Sequence, residues 1–219
     1  MTTKVKICGL KTEPALDAAL DGGADFVGFN FFPPSPRSLA PDVARGLAAR
    51  ARGRTRTVVV LVDPDDTLLQ RVVSAVEPDL IQLHGKESSE RVAEIARQFG
   101  RPVIKALSVT TAADAGRAEA YRDITEFVLF DAKAPPASAI PGGNGLTFDW
   151  RLLDSVRGRI DYMLSGGLTA DNVAEAIRVA APFAVDVSSG VETAPGVKSA
   201  DLIRHFLAAA KLAHAAAHS

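Results

Sequence analysis

The chain lacks most of the features that would tie it to a specialised partner. One cysteine in 219 residues excludes an intrachain disulfide. No CxxC or HExxH spacing supplies a ready set of metal ligands. No apolar run reaches the roughly 20 residues that a membrane span needs. The N-terminus has no hydrophobic core of a signal peptide. Neither sign of charge prevails, since 25 Lys and Arg against 26 Asp and Glu give a formal net charge of -1. Nucleic acid and anionic membranes therefore find no broad basic field, and a small anion would need a local site. The expectation is a cytoplasmic protein in a reducing compartment.

What is present is a chain of 47% hydrophobic residues with no linker or low-complexity break, enough for one domain over residues 1–219. Short, β-branched-rich apolar runs recur at Val5–Cys8, Phe26–Phe31, Thr57–Val62, Leu80–Leu83, Val103–Leu107, Phe127–Phe130, Tyr162–Leu164 and Ala184–Val187. Most are continuous rather than alternating, as in strands covered on both faces. Segments of helical spacing separate them: Pro14–Leu20, Pro41–Arg50, Thr67–Val76, Ser88–Phe99, Ala112–Ala120, a short turn after Trp150, Asn172–Val179 and Ser199 to about His214. Asp65, Asp66 and Ser88 offer N-caps, and Gly100 with Pro102 beyond it offers a stop.

About eight strand-helix units in this length match a compact (β/α)8 TIM barrel. A doubly wound open sheet alternates the same elements. The barrel is favoured because the first strand-to-helix turn, Cys8-Gly9-Leu10-Lys11, lacks GxGxxG, while the last two turns are the glycine-rich ones. In a parallel barrel all strand C-termini share one face. That face would collect Cys8, Asn30 with nearby Arg37, Asp63, His84, Ser108, Asp131, Ser165, and Asp186 with Ser188 and Ser189.

Three glycine clusters fall in successive loops: Gly142-Gly143-Asn144-Gly145, Ser165-Gly166-Gly167 and Ser188-Ser189-Gly190. Glycine permits close backbone approach, and free N–H groups and serine hydroxyls donate to phosphate oxygens. Cys8 is either a small buried hydrophobe or a thiol that exchanges protons at a cleft. Asp131 either caps its loop and pairs with Lys133, or holds a proton for general acid work. Arg37, in the proline-stiffened Phe32-Pro33-Pro34-Ser35-Pro36-Arg37, is a surface arginine or a bidentate carboxylate ligand. His84 binds substrate, shuttles a proton, or is satisfied within its loop. His205, His214 and His218 read as surface residues of a terminal helix that frays.

Taken together, these motifs resemble the phosphoribosylanthranilate isomerase family. The matching pieces are Lys6-Ile7-Cys8-Gly9, Gly28-Phe29-Asn30-Phe31-Phe32 with Ser35-Pro36-Arg37, Gln82-Leu83-His84-Gly85, Leu129-Phe130-Asp131, Gly142-Gly143-Asn144-Gly145 with Phe148-Asp149-Trp150, Leu164-Ser165-Gly166-Gly167-Leu168, and Asp186-Val187-Ser188-Ser189-Gly190-Val191-Glu192. The resemblance spans nearly the whole chain. It implies an Amadori rearrangement of N-(5'-phosphoribosyl)anthranilate to 1-(2-carboxyphenylamino)-1-deoxyribulose 5-phosphate, in the tryptophan pathway. Asp131 would be the general acid at the ring oxygen and Cys8 the base at the sugar C2. Arg37 would hold the anthranilate carboxylate, and Gly143, Gly145, Ser165, Gly167, Ser189 and Gly190 the phosphate. His84, Gly166, Asp186 and Ser188 complete the expected substrate contacts. The resemblance implies no metal or organic cofactor, a small phosphosugar-anthranilate as the partner, and a monomer or homodimer.

Asn144, Pro34 and Asp63 depart from the family's usual residues: Asn144 leaves the phosphate glycines intact but supplies no hydroxyl, and Pro34 and Asp63 are assigned no role. The segment Ala134–Pro141 is expected to belong to a loop over the substrate. Two rivals are weighed. A phosphosugar isomerase of histidine biosynthesis is expected to use paired aspartates, against which Cys8 argues. A silent phosphate-binding barrel would need neither Cys8 nor Asp131.

Overall fold

A computed structural model describes residues 2–135, 138 and 140–216, with side chains through residue 213. Eight parallel strands form a closed barrel: β1 (Lys4–Cys8), β2 (Phe26–Asn30), β3 (Arg56–Leu61), β4 (Leu80–Leu83), β5 (Val103–Val109), β6 (Phe127–Ala132), β7 (Tyr162–Leu164) and β8 (Ala184–Val187). Closure rests on β1 pairing with β8, Lys4 opposite Ala184 through Ile7 opposite Val187. That pairing removes the open-sheet alternative.

The strand residues alternate between two apolar compartments. Val5, Ile7, Val27, Phe29, Val59 and Leu61 face outward into the large core beneath the helices. Cys8, Phe26, Val58, Leu129, Met163 and Ala184 face the barrel interior. Both faces are dry, which is why these runs read as continuous apolar stretches.

The surrounding helices are α1 (Glu13–Asp21), α2 (Pro41–Ala51), α3 (Asp66–Val76), α4 (Ser89–Phe99), α5 (Ala112–Gly116), α6 (Val173–Ala180) and α7 (Ala200–Ala216). Asp65 caps α3 by accepting from the Leu68 amide at 2.7 Å, and Ser88 caps α4 through Arg91 at 3.3 Å. Gly100 ends α4 in the left-handed region at φ 60°. The helix expected over 112–120 is shorter: after Gly116 the chain tightens into a 3-10 turn over Arg117–Ala120. A glycine inside a helix costs about 1 kcal/mol relative to alanine, so the α-helix ends there readily.

A small antiparallel hairpin, β9 (Glu192–Ala194) and β10 (Val197–Lys198), follows β8 and was not expected from the sequence. His205 is exposed as anticipated. His218, the His214 side chain and part of the Ala134–Pro141 segment (Pro136, Ala137 and Ala139) lie outside the described residues.

Candidate active site

Each strand that carries a candidate residue ends at the same mouth. One pocket is lined by Cys8, Arg37, His84, Asp131, Gly143, Ser165, Gly166, Gly167, Asp186, Ser188 and Ser189. Gly145 and Gly190 do not line it. Gly145 stands beside the Ser189 hydroxyl, and Gly190 packs against the Leu168 carbonyl so closely that a side chain would collide with it.

Cys8 is the last inward residue of β1. It joins the two readings of a lone thiol, resting on the interior apolar layer below while facing the pocket above. Burial pushes its thiol above the ordinary value, the Lys6 ammonium opposes that shift, the Asp186 carboxylate adds to it and Lys198 opposes it.

Asp131 sits on the inward face of β6, opposite Ser108 of β5. Its Oδ1 accepts from the Ala132 amide at 2.9 Å. Its Oδ2 lies 3.3 Å from His84 Nε2, at the distance but without the alignment of a hydrogen bond. The Gln82 side-chain nitrogen meets His84 Nδ1 at 3.0 Å, and the neutral tautomer that accepts there carries its proton on Nε2, toward Asp131. No Asp131–Lys133 ion pair occurs among the described residues, so the loop-pairing alternative falls away.

Arg37 is buried rather than on the surface, its side chain only 6% exposed. Nε and Nη2 donate to the two oxygens of Glu192 at 2.8 Å each, and Nη2 also donates to the Gly143 carbonyl at 3.2 Å. Nη1 has no protein acceptor among the described residues, which leaves the Nη1/Nη2 edge for a second planar anion. Lys198 closes the cluster, donating to Glu192 at 2.7 Å and to the Ser188 carbonyl at 2.8 Å. Burial would raise the Glu192 carboxyl, but the hydrogen bonds from Arg37 and Lys198 hold it below the usual range. Burial holds Lys198 below the ordinary lysine value despite Glu192.

The turn after β7 supplies donors. Gly166 and Gly167 both have positive φ, at 92° and 59°, and their N–H groups donate to no protein acceptor among the described residues. A side chain at Gly166 would come within 2.7 Å of the Ala132 amide, so only glycine lets this turn lie against β6. The Ser189 side of the pocket faces the same space.

Several buried charges escaped the sequence reading. Lys6 is an inward residue of β1, its Nζ 2.8 Å from Asp186 Oδ1; Ser165 Oγ donates to Asp186 Oδ2 at 3.1 Å. Asp186 thus lines the pocket with both oxygens engaged. Lys105 faces outward from β5 and donates to Glu87 at 2.9 Å and to the Gly85 carbonyl at 2.8 Å. Glu87 accepts from the amides of Asp63 and Gly85, and Asp63, at φ 44°, accepts from Lys86. These contacts fix the loop that begins with His84. The outer position of Lys105 and the inner one of Lys6 share one signal, a lysine inside an apolar strand.

Among the described residues, no helix is long and apolar enough to cross a membrane, and no cluster of His, Cys, Asp and Glu could hold a metal ion. Residues 5–209 match the family described as N-(5'phosphoribosyl)anthranilate (PRA) isomerase. A protein of Rhizobium meliloti (strain 1021) named N-(5'-phosphoribosyl)anthranilate isomerase is 53% identical over 215 residues, covering 98% of this chain and 100% of the relative. The crystal structure of phosphoribosyl anthranilate isomerase from Thermotoga maritima superposes with a TM-score of 0.86 at 39% identity, over 96% of this chain and 99% of that one. A phosphoribosyl anthranilate isomerase in complex with reduced 1-(o-carboxyphenylamino)-1-deoxyribulose 5-phosphate gives a TM-score of 0.84 at 37% identity, over 96% and 99%. A thiol and a carboxyl facing one pocket of a closed barrel, and likeness along nearly the full length, lead to one conclusion: the chain belongs to the N-(5'-phosphoribosyl)anthranilate isomerase family.

Proposed function

We propose that this barrel, working as a single catalytic domain, carries out the rearrangement of N-(5'-phosphoribosyl)anthranilate with Asp131 as general acid and Cys8 as general base. The observation that carries the assignment is that both groups line one pocket together with the Nη1/Nη2 edge of Arg37, held there only by the Gly143 carbonyl, and the free N–H groups of Gly166 and Gly167. Asp131 gives its proton to the furanose oxygen as the C1–O bond breaks, and the anilino nitrogen's lone pair forms the iminium. The Cys8 thiolate then takes the proton from C2. The C2–H electrons form C1=C2, the iminium electrons return to nitrogen, and the enolamine tautomerises to the ketone. The iminium itself acidifies C2, so the sequence of steps needs no metal or organic cofactor.

Arg37 takes the anthranilate carboxylate on its Nη1/Nη2 edge, exchanging the Gly143 carbonyl for a charged acceptor. Gly166, Gly167 and Ser189 take the phosphate, with Gly143, Gly145 and Gly190 shaping the loops around it. His84, its Nε2 3.3 Å from Asp131 Oδ2, contacts the substrate beside the acid. The same reading makes the protein a cytoplasmic enzyme of tryptophan biosynthesis, monomeric or homodimeric.

The experiment follows the loss of anthranilate-type fluorescence when freshly generated substrate meets the EDTA-treated protein, with Cys8→Ser and Asp131→Asn alongside. Turnover that survives chelation and falls by about 10²–10⁴-fold in each variant is expected. Near wild-type rates in either variant would sink the assignment. Binding of sugar phosphate without turnover in any of the three proteins would turn the reading to a phosphate-binding barrel.

A further inference from the structure

Lys6 occupies an inward position one step below Cys8, in an interior that such barrels ordinarily fill with branched apolar side chains. It is fully buried. Asp186, its neighbour across the β1–β8 ladder, accepts one of its three N–H groups at 2.8 Å. On the other side, Cys8 is paired with Gly28 of β2. A Cβ at Gly28 would lie 3.0 Å from Cys8 Sγ and 3.3 Å from Lys6 Nζ, so sulfur and ammonium converge on the space this glycine leaves open. The Lys6 charge there opposes the effect of burial on the thiol.

We propose that Lys6 is a positioning residue for the base: its ammonium, anchored by Asp186, is the counter-charge that the Cys8 thiolate needs, and Gly28 is the gap in which they meet. The proposal rests on the reading of Cys8 as the base. Lys6 touches no substrate atom and acts through the thiol.

The charges around Cys8 support this division. Asp186 from β8 opposes the thiolate, and Asp131 from β6 stands across the pocket beside His84. Arg37 in the loop after β2 is paired with Glu192. Lys198 from β10 has the right sign, but Glu192, the Ser188 carbonyl and the Ser188 hydroxyl accept from it at 2.7, 2.8 and 3.2 Å, one acceptor for each N–H. Lys6 is the buried cation beside the sulfur with donors to spare. Burial alone would discharge it, yet Asp186 and Cys8 together more than offset that and hold it protonated. When Cys8 accepts the C2 proton, Lys6 keeps its own protons and its charge stays balanced by Asp186.

The test is the pH dependence of alkylation by iodoacetamide, which reports Cys8 alone because the chain has one cysteine. Lys6→Met is compared with wild type, and Lys6→Met/Asp186→Asn removes both charges so that neither is stranded if the single variant fails to fold. Lys6→Met should shift the alkylation midpoint to higher pH by a unit or more, a slowing of about tenfold at neutral pH; the double variant should shift it in the same direction by less, because the loss of Asp186 offsets part of the loss of Lys6. kcat should fall in parallel with KM little changed, and should recover as pH is raised. An alkylation profile superposable on wild type in a folded variant would overturn the proposal and leave Lys6 a structural counter-ion of Asp186. That failure is distinct from failure of the base assignment, which would instead appear as turnover surviving in Cys8→Ser.

Discussion

Arg37→Lys separates the two duties of a residue that is anchored on one edge and open on the other. The guanidinium spends Nε and Nη2 on Glu192, at 2.8 Å each, and offers Nη1 and Nη2 to the pocket. A lysine keeps the charge but has a single nitrogen, and the buried Glu192 carboxylate will claim it. The ligand's carboxylate then loses one or two charged hydrogen bonds. Each such bond is worth about 1.5–3 kcal/mol net, and about 1.4 kcal/mol is tenfold in affinity. KM should therefore rise by roughly 10- to 150-fold for the first bond lost, with kcat little altered, because the carboxylate is present equally in ground and transition states. The assay is the fluorescence decay across substrate concentration, with inhibition by inorganic phosphate as a control for an intact pocket. A KM within threefold of wild type while phosphate still inhibits normally would refute the carboxylate role. A fall in kcat alone would place Arg37 at the transition state instead.

Glu192→Gln tests the charge cluster through pH. The Glu192 carboxyl is held low in the folded protein, so as pH falls the unfolded chain takes up the proton first. Its contribution is complete above the ordinary glutamate value of about 4.3 and is lost as pH drops through the folded value. At pH 7 the variant strands Arg37 and Lys198 and should lose about 3–5 kcal/mol; the denaturation midpoints of the two proteins should converge in acid, and a gap of constant size from pH 7 to 3 would refute the linkage. Gly28→Ala places a methyl 3.0 Å from the Cys8 sulfur. Overpacking of this kind costs about 1–3 kcal/mol. A base displaced by a fraction of an ångström should lower kcat by roughly tenfold or more, and an unchanged kcat would mean that the sulfur's position is not critical.

Much of the fold was legible because apolar runs covered on both faces have an unambiguous signature, and because each ends at a polar residue. Leu80–Leu83, Tyr162–Leu164 and Ala184–Val187 were bounded to the residue. The hairpin of β9 and β10 carried no such run: Glu192-Thr193-Ala194 and Val197-Lys198 are short, largely polar and partly exposed. With it went Lys198 and the anchoring role of Glu192. Arg37 was found by its proline-rich loop, but its burial was not, since burial comes from a strand pair 155 residues away. Lys6 was in plain view. Val5 and Ile7 face the helices and Cys8 faces inward, so a period of two places Lys6 inward as well, and a lysine there demands a counter-charge.

The division of duties between strands and loops explains how one pocket can be both rigid and enterable. The proposed base, its counter-charge and the proposed acid stand on ladders: Cys8 opposite Gly28, Lys6 opposite Asp186, Asp131 opposite Ser108. Moving any of them would break backbone hydrogen bonds, so their separations are fixed before substrate arrives. The binding groups stand on loops, and one of these already occupies the site. A Cβ at Gly142 would lie 2.5 Å from Asp131 Oδ2 and 2.7 Å from His84 Nε2, and the Gly143 carbonyl caps Arg37. The free cavity is about 50 Å³, room for a few waters but not for an aromatic ring joined to a phosphorylated sugar. The Ile140–Gly145 segment is therefore expected to withdraw when substrate enters, which a crystal structure with bound product would check. A loop that closes over the substrate, as the sequence leads one to expect, would complete a cycle that begins with this withdrawal. The contact that holds it is a carbonyl on a guanidinium, weaker than the carboxylate that replaces it. With Arg37 as the proposed carboxylate ligand, the ligand's own charge would drive the exchange, and binding at Arg37 and opening at Gly143 would become one event.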